Sequence, residues 1–155
     1  MLKSKIGYSI NMNDFIAGQE ASMKASVDMP DAKLSFVFTS EKNDINQVVK
    51  GIKNITDTPI IGCTSSGAII VPEGIITSEH GFVGMLTLND ENMNIGVACH
   101  EAGKNARNIG RKVAIQAVEN AKTTRAPAYF YMVASPKEEE EYLMGIQDVI
   151  GRVPM

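Results

Sequence analysis

The part of the chain with the most chemically active side chains lies at residues 62–67. It reads Gly-Cys-Thr-Ser-Ser-Gly and places one thiol and three hydroxyls between two glycines, directly after an apolar run that predicts a strand. A flexible turn of this kind can direct its backbone amides inward and contact an anion or a small polar ligand. Ligand contact is one interpretation of this turn, and a tight structural turn near the core is the other.

Catalysis by Cys63 or Ser65 is a competing hypothesis, since hydrolases place nucleophiles where a strand ends sharply. The spacing Gly-x-Ser-x-Gly does not occur around Ser65 or Ser66, and the two histidines, His80 and His100, lie in no recognisable catalytic context. The phosphate-binding pattern GK[ST] and the dinucleotide glycine spacing are absent as well. We therefore expect a binding domain and not an enzyme.

Composition excludes several classes of protein. The formal net charge is -3 and no segment concentrates Lys and Arg, so a nucleic-acid partner is not expected. No run approaches the roughly 20 apolar residues that span a bilayer, and the N-terminal apolar run is too short for a signal peptide. Two cysteines cannot form a disulfide framework. The sequence predicts a cytoplasmic segment without membrane contact.

Periodicity predicts the elements that position the turn. Apolar residues at helical spacing indicate a helix over residues 45–55, capped by Asp44 with Gln47, and a second over residues 142–150, capped by Ser135 and ended by Gly151. Glycines and small residues predict helical stripes against the sheet: Gly18, Ala21 and Ala25, and again Gly110, Ala114 and Ala117. Strands are predicted at residues 6–10, 34–40, 59–63, 82–88, 93–99 and 129–134, with the fourth and fifth as a hairpin around residues 89–92.

The predicted order of strand, glycine-bearing helix, strand, helix and X-Pro strand occurs twice along the chain. Ile6-Gly7 matches Ile95-Gly96, and the later matches pair Gly18 with Gly110, Ala25 with Ala117, Gly51 with Gly145, and Pro59 with Pro154. The sequence therefore predicts an α/β fold with a mixed β-sheet covered by helices, made of two related β-α-β-α-β halves. The second half stops one residue after its proline, so we expect it to be incomplete at its C-terminus.

These residues resemble the N-terminal domain of the FIST family, named for F-box and intracellular signal transduction proteins. Gly7-Tyr8-Ser9 and residues 17–21 are similar to the family's opening motifs, and residues 34–40, Gly51-Ile52 and 59–67 to its later strand, helix and signature loop. The family tends to show Gly-Cys-Ser-Thr-Ala-Gly-Glu in that loop, and this chain has Ala68 where the family often has an acidic residue. The resemblance covers nearly the whole chain and identifies residues 1–155 as an incomplete FIST N-terminal domain.

The resemblance implies an intracellular sensor of small molecules, with amino-acid-like ligands as one class, joined to a signalling output module in a fuller chain or a partner. Some members of the family bind haem and sense nitric oxide, and His80 or His100 would then be the axial ligand. The sequence names no cofactor. We expect ligand contact from the turn after the third strand, facing the end of the first strand across neighbouring strand ends: Cys63, Thr64, Ser65, Ser66 and Gly67, with Tyr8 and Ser9.

Overall fold

The computed structural model describes residues 1–77, 79–132 and 138–154. The chain divides into two compact units, Met1–Met93 and Asn94–Met155. The first unit contains β1 (Lys3–Ser9), α1 (Asp14–Ser26), β2 (Leu34–Ser40), α2 (Ile45–Lys53), β3 (Ile60–Ser65), β4 (Ile69–Val71), β5 (Gly74–Ile76) and β6 (Val83–Asn89). The second contains α3 (Ala106–Asn120) and α4 (Glu139–Ile150). The α/β class predicted from the sequence is confirmed.

The first unit is built on a four-stranded mixed sheet with the strand order β1-β6-β2-β3. β6 is antiparallel to both β1 and β2, and β2 is parallel to β3. The strands β1, β2 and β3 therefore point in the same direction and end at the same edge. β4 and β5 form a separate antiparallel hairpin, and the side chain of Ile69 in β4 lies against Gly84 in β6.

The core of the first unit lies between the sheet and the helices α1 and α2. Alanines occupy one face of α1, aliphatic residues come from α2, and the sheet contributes alternate residues of β2 and β6, as the two-residue strand period requires. The buried cluster contains Ala17, Ala21, Ala25, Val37, Val48, Ile52, Val83 and Met85. This cluster fixes which face of the sheet the helices cover.

Three glycines of the first unit lie close to the backbone of a helix in another part of the unit. A Cβ on Gly18 would collide with the backbone of Val48 in α2, and a Cβ on Gly51 would collide with the backbone of Phe15 in α1. Gly7 of β1 lies equally close to the backbone of α1 around Ala21. The predicted stripe on α1 is therefore partly wrong, because Gly18 faces the neighbouring helix and not the sheet.

The second unit contains two helices, and its other described residues form no strand. A Cβ on Gly110 would collide with the backbone of Tyr142, and one on Gly145 with the backbone of Arg107, so α3 and α4 cross as closely as α1 and α2 do. Two arginines also bind one carboxylate across this crossing. The Asp148 carboxylate accepts from Arg107 Nε at 2.8 Å and from Arg111 Nε at 2.8 Å.

Four of the six predicted strands are confirmed, as β1, β2, β3 and β6. The strand predicted at residues 93–99 is wrong, and so is the hairpin at residues 89–92. Both edges of β6 are already paired, with β1 and β2, so β6 has no free edge for the segment that follows it. Residues 129–132 form no strand either, and the last two positions of that prediction lie outside the described residues.

The predicted helices are confirmed, with one change in capping. The Asp44 carboxylate caps α2 by accepting from the amides of Asn46 and Gln47. α4 begins at Glu139, so Glu138 is its N-cap and not a residue of its first turn, and the predicted cap Ser135 lies outside the described residues. Gly151 ends α4 with a positive φ of 73°, which glycine adopts without strain.

Candidate functional site

The ends of three parallel strands bring hydroxyl groups to one edge of the sheet in the first unit. Ser9 ends β1, Ser40 ends β2 and Ser65 ends β3, and Ser40 is directly paired with Ser65. In open α/β sheets ligands bind outside the carboxyl ends of the strands. This edge, which we call the carboxyl edge, is therefore the candidate site.

The predicted signature turn lies partly inside a strand. Cys63, Thr64 and Ser65 belong to β3, which is an outer strand of the sheet, and Ser66 and Gly67 form the bend that follows. The Ser65 hydroxyl donates to the carbonyl of Ala68 at 3.2 Å and so holds the bend.

The residues of this segment differ in their exposure to solvent. Thr64, Ser66 and Gly67 are exposed, whereas Cys63 and Ser65 are half-buried. Cys63 lies beside Phe38 of β2, on the face of the sheet opposite the α1 and α2 core. The exposed hydroxyls of Thr64 and Ser66 are the groups that a ligand can reach directly.

The end of β1 is engaged in contacts within the unit. Ser9 is 3% exposed, and its hydroxyl donates to the Glu20 carboxylate at 2.6 Å and accepts from the amide of Asn11. The ammonium of Lys24 donates to the carbonyl of Tyr8 at 2.9 Å and lies 5.3 Å from the centre of its ring. A shallow groove of about 440 Å³ runs past Tyr8 towards Pro72 and Glu73.

The predicted contact between these two groups across neighbouring strands is wrong. β6 and β2 lie between β1 and β3, so three strand spacings, about 14 Å of backbone, separate Ser9 from Ser65. The two groups share an edge and a direction but not a neighbouring pair of strands. The order of the strands along the chain does not show that β6 lies between β1 and β2, because β6 comes last among the strands of this unit.

A polar cluster in the middle of the carboxyl edge was missed by sequence reasoning. Asn43, 7% exposed, accepts from the Thr39 hydroxyl at 3.0 Å and from the amide of Phe82 at 3.2 Å. Its side-chain amide donates to the Asp14 carboxylate at 2.6 Å, and that carboxylate also accepts from the amide of Asp44 at 2.9 Å. One asparagine thus ties β2 and the start of β6 to the first turns of α1 and α2.

Metal and haem sites find little support in the described part of the chain. Within residues 1–77, 79–132 and 138–154, no group of three or more His, Cys, Asp or Glu side chains converges on one point. His80 and His100 are both exposed, and the ring of His100 is hydrogen-bonded to the carbonyl of Glu101 at 3.0 Å. Neither histidine lies in the enclosed apolar pocket that haem requires, so we derive no chemistry through haem.

Comparisons with known proteins identify a family but no function. A model described as the FIST N domain matches residues 33–155, a range that starts just before β2 and includes the whole of β3 and the bend. No curated protein matches the sequence. In the described residues, no helix has both the length and the apolar character to cross a membrane.

Among solved structures, the chain is similar to the crystal structure of thiamine monophosphate kinase from Aquifex aeolicus, at 13% identity and a TM-score of 0.32. That alignment covers 98% of this chain and spans about half, 51%, of the kinase chain. A likeness of this size carries no argument about fold or activity.

Proposed function

Since the chain belongs to the FIST N domain family, we propose that it is a small-molecule-sensing domain of a signal transduction protein. It binds its ligand without chemical conversion, in the cytoplasm, and passes the signal to an output module in a fuller chain or in a partner. A ligand shifts such a module only through different affinities for its two states. The observation that carries this proposal is the carboxyl edge, where three parallel strands end together.

The exposed end of β3 is the ligand contact that the geometry favours. Thr64, Ser66 and Gly67 are exposed beside one another, and the Ser65 hydroxyl is used to hold the bend. Two hydroxyls and the backbone of a glycine can bind the polar groups of an amino-acid-like molecule. Cys63 supports the turn from the opposite face, next to Phe38.

Tyr8 and Ser9 take a different role in this proposal. A small ligand does not reach across about 14 Å from β3 to β1, and the Ser9 hydroxyl is already bonded to Glu20. Tyr8 lines its own groove with Pro72 and Glu73, which follow β4. Tyr8 would sense ligand binding through the hairpin and not through direct contact, and Ser9 would hold the end of β1 through its bond to Glu20.

We also infer that the two units are related halves. The first helix of each unit has an asparagine N-cap, and the number of residues from that cap to the helical glycine is the same in both. Asn13 accepts from the amide of Ile16, and Asn105 accepts from the amide of Asn108. In each unit, the glycine of one helix lies against the residue three positions before the glycine of the other helix. The pairs are Gly18 with Val48, Gly51 with Phe15, Gly110 with Tyr142, and Gly145 with Arg107. Matching close contacts at four glycines support descent from one repeated segment.

A binding screen with a site variant tests the proposal. The probe is a panel of single L-amino acids, each added to the purified chain while its thermal unfolding is measured. A bound amino acid at 100 times its dissociation constant stabilises the chain by about 2.7 kcal/mol. Thr64→Val should abolish that stabilisation, whereas Thr124→Val, at an exposed threonine of the second unit, should leave it intact.

Two results would contradict the proposal. If no amino acid shifts the transition, the amino-acid-like class is wrong. If Cys63→Ala or Ser65→Ala keeps ligand binding but removes a measured hydrolysis of ester or amide substrates, the chain is a hydrolase and the sensory role is wrong.

A further inference from the structure

The strand β1 is an end strand of the four-stranded sheet in the first unit, and β6 pairs with it on one side. In residues 1–77, 79–132 and 138–154, no strand pairs with its other side. An edge of this kind presents main-chain donors and acceptors that can bind another extended segment. The outer edge of β1 is therefore a candidate surface for the addition of a strand.

The pairing of β6 shows which main-chain groups of β1 point outwards. The carbonyl of Leu88 in β6 accepts from the amide of the residue just before β2, so Leu88 directs its main-chain groups towards β2 and away from β1. In an antiparallel pair the bonded positions alternate along the strand. The residues of β1 whose main-chain groups point away from β6 are therefore the partner of Leu88 and every second residue after it: Ser4, Ile6 and Tyr8. The carbonyl of Tyr8 agrees with this assignment, because it accepts from the ammonium of Lys24.

The groove beside Tyr8 runs along this edge, and the wall on its α1 side is basic. Gly7 of β1 packs on the backbone of α1, so the α1 side of β1 is the side to which Gly7 belongs. Side chains of a strand alternate between its two faces, which places Lys3 and Lys5 on that same side. Lys5 lines the groove, and Lys24 of α1 lines it too. Three lysines thus lie on one side of the open edge.

The charge of this basic wall is only partly neutralised within the described residues. Neither Lys3 nor Lys24 forms an ion pair there, and both are exposed. Lys5 pairs with Asp28 at 3.6 Å, but the side chain of Asp28 is 89% exposed. A ligand that brings carboxylates to this wall gains ion pairs, and a main-chain amide of that ligand can replace Lys24 as the donor to Tyr8.

The opposite wall of the groove is mainly apolar. Ile6 and Tyr8 point to the face of β1 that lies away from α1, by the same alternation. The turn of the β4 and β5 hairpin adds Pro72 and Glu73 to this wall. The Ile6 side chain is 42% exposed, and Pro72 is exposed as well. Because Glu73 would repel a carboxylate, this wall favours apolar side chains over acidic ones.

We propose that the groove along β1 binds an extended segment of a partner protein in which acidic and apolar residues alternate. The segment adds to the sheet as a strand, with its acidic side chains towards α1 and its apolar side chains towards the hairpin. Main-chain hydrogen bonds supply the affinity in this mode of recognition, and alternate side chains supply the specificity. The inference goes beyond the proposed function and does not depend on a ligand at the end of β3.

A short peptide in which glutamate and valine alternate is the probe, added at millimolar concentration to the ¹⁵N-labelled chain. We expect saturable changes in the amide signals of β1, with hydrogen exchange slowed by about tenfold or more at the outward amides of Ser4, Ile6 and Tyr8. Lys5 and Gly7, whose amides already bond to β6, should be slowed less, so the added protection alternates along the strand. The control peptide has the same composition with all glutamates before all valines, which cannot place the two kinds of side chain on opposite faces.

Charge variants test the basic wall separately from the main-chain contacts. Lys24→Gln should weaken the binding of the alternating peptide by about two- to fivefold, as the loss of an exposed ion pair does. Lys50→Gln, at an exposed lysine of α2 that does not line the groove, should leave the binding unchanged.

Four results would overturn the proposal. Unchanged exchange at Ser4, Ile6 and Tyr8 would show that the lysines only protect the edge against pairing. Equal binding of the control peptide would show contact without strand addition, and equal effects of Lys24→Gln and Lys50→Gln would show attraction to the whole chain and not to this wall. Protection of the same amides without peptide, increasing with the concentration of the chain, would assign the groove to a second copy.

Discussion

Asn43→Asp is the substitution that tests the polar cluster at the carboxyl edge most directly. The side-chain amide of Asn43 donates to the Asp14 carboxylate at 2.6 Å. In Asn43→Asp, an oxygen of the introduced carboxylate would replace that donor and face the carboxylate oxygen of Asp14. The oxygen that accepts from Thr39 and Phe82 would remain. The substitution therefore changes one contact and keeps the size and the other bonds of the side chain.

The cost at neutral pH follows from charge repulsion. Two unit charges 4 Å apart repel by about 4 kcal/mol at the effective dielectric of a partly exposed site. Protonation limits this cost: taking up a proton at pH 7 by a group with an ordinary pKa near 3.9 costs about 4 kcal/mol. Because the two carboxylates can also move partly apart, we expect Asn43→Asp to lower the free energy of unfolding by somewhat less than either value, about 3 kcal/mol.

The loss should depend on pH in a fixed direction. Repulsion raises the pKa of the introduced carboxyl in the folded state above its unfolded value of about 3.9. The variant therefore has its full stability below a pH of about 3.9 and loses stability as pH rises through the raised folded pKa. In its protonated form the introduced group donates to Asp14 as the amide did. The difference from the parent should therefore shrink towards zero near pH 4.

Urea unfolding of parent and variant at several pH values measures this difference. Asn46→Asp is the matched control, since Asn46 is exposed at the start of α2 and makes no side-chain contact with Asp14 among the described residues. Its effect should stay within about 0.5 kcal/mol. A loss in Asn43→Asp that is equal at pH 4 and pH 7 would refute the repulsion and would indicate a steric cause.

Further predictions concern the two helix crossings. Gly18→Ala and Gly110→Ala should each lower the free energy of unfolding by about 1–3 kcal/mol, because the added Cβ meets the backbone of the facing helix. Gly67→Ala is the control and should not lower it, because a Cβ added there meets open space. Urea titrations measure the three variants, and unequal effects of Gly18→Ala and Gly110→Ala would contradict the match between the units. Asp148→Asn should lower the thermal midpoint at neutral pH. Hydrogen bonds from Arg107 and then Arg111 hold the pKa of Asp148 at about 2, below the ordinary 3.8, so the difference from the parent should disappear as pH falls from 3.8 to about 2.

Sequence reasoning identified the elements well where the pattern is local. β2 was predicted at its observed bounds, and α2 with its Asp44 cap, because alternation and capping are properties of a few adjacent residues. The strand at residues 93–99 failed because a strand also requires a free partner edge, which the sequence does not show. β4 and β5 were missed because three-residue strands have too few residues for a period.

The candidate site was predicted in its composition but not in its geometry. The hydroxyl-rich segment does lie at the end of a strand, as the glycines and the apolar run indicated. Its distance from Tyr8 depends on the strand order, which long-range pairing decides. Asn43 gave no signal, because an asparagine between a strand and a helix is also typical of an ordinary turn.

The hairpin of β4 and β5 is the element through which a ligand at β3 would act on the rest of the first unit. It follows the Ser65 to Ala68 bond directly, and Ile69 lies against Gly84 in the centre of the sheet. We expect Ile69→Ala to remove about 2 kcal/mol of stability, at about 0.8 kcal/mol for each buried carbon, and to speed hydrogen exchange in the hairpin. Ile70→Ala, at the neighbouring position that is 83% exposed, should change neither quantity. Equal effects of the two substitutions would show that the hairpin is not held to the sheet by Ile69, and a signal could not then pass by this route.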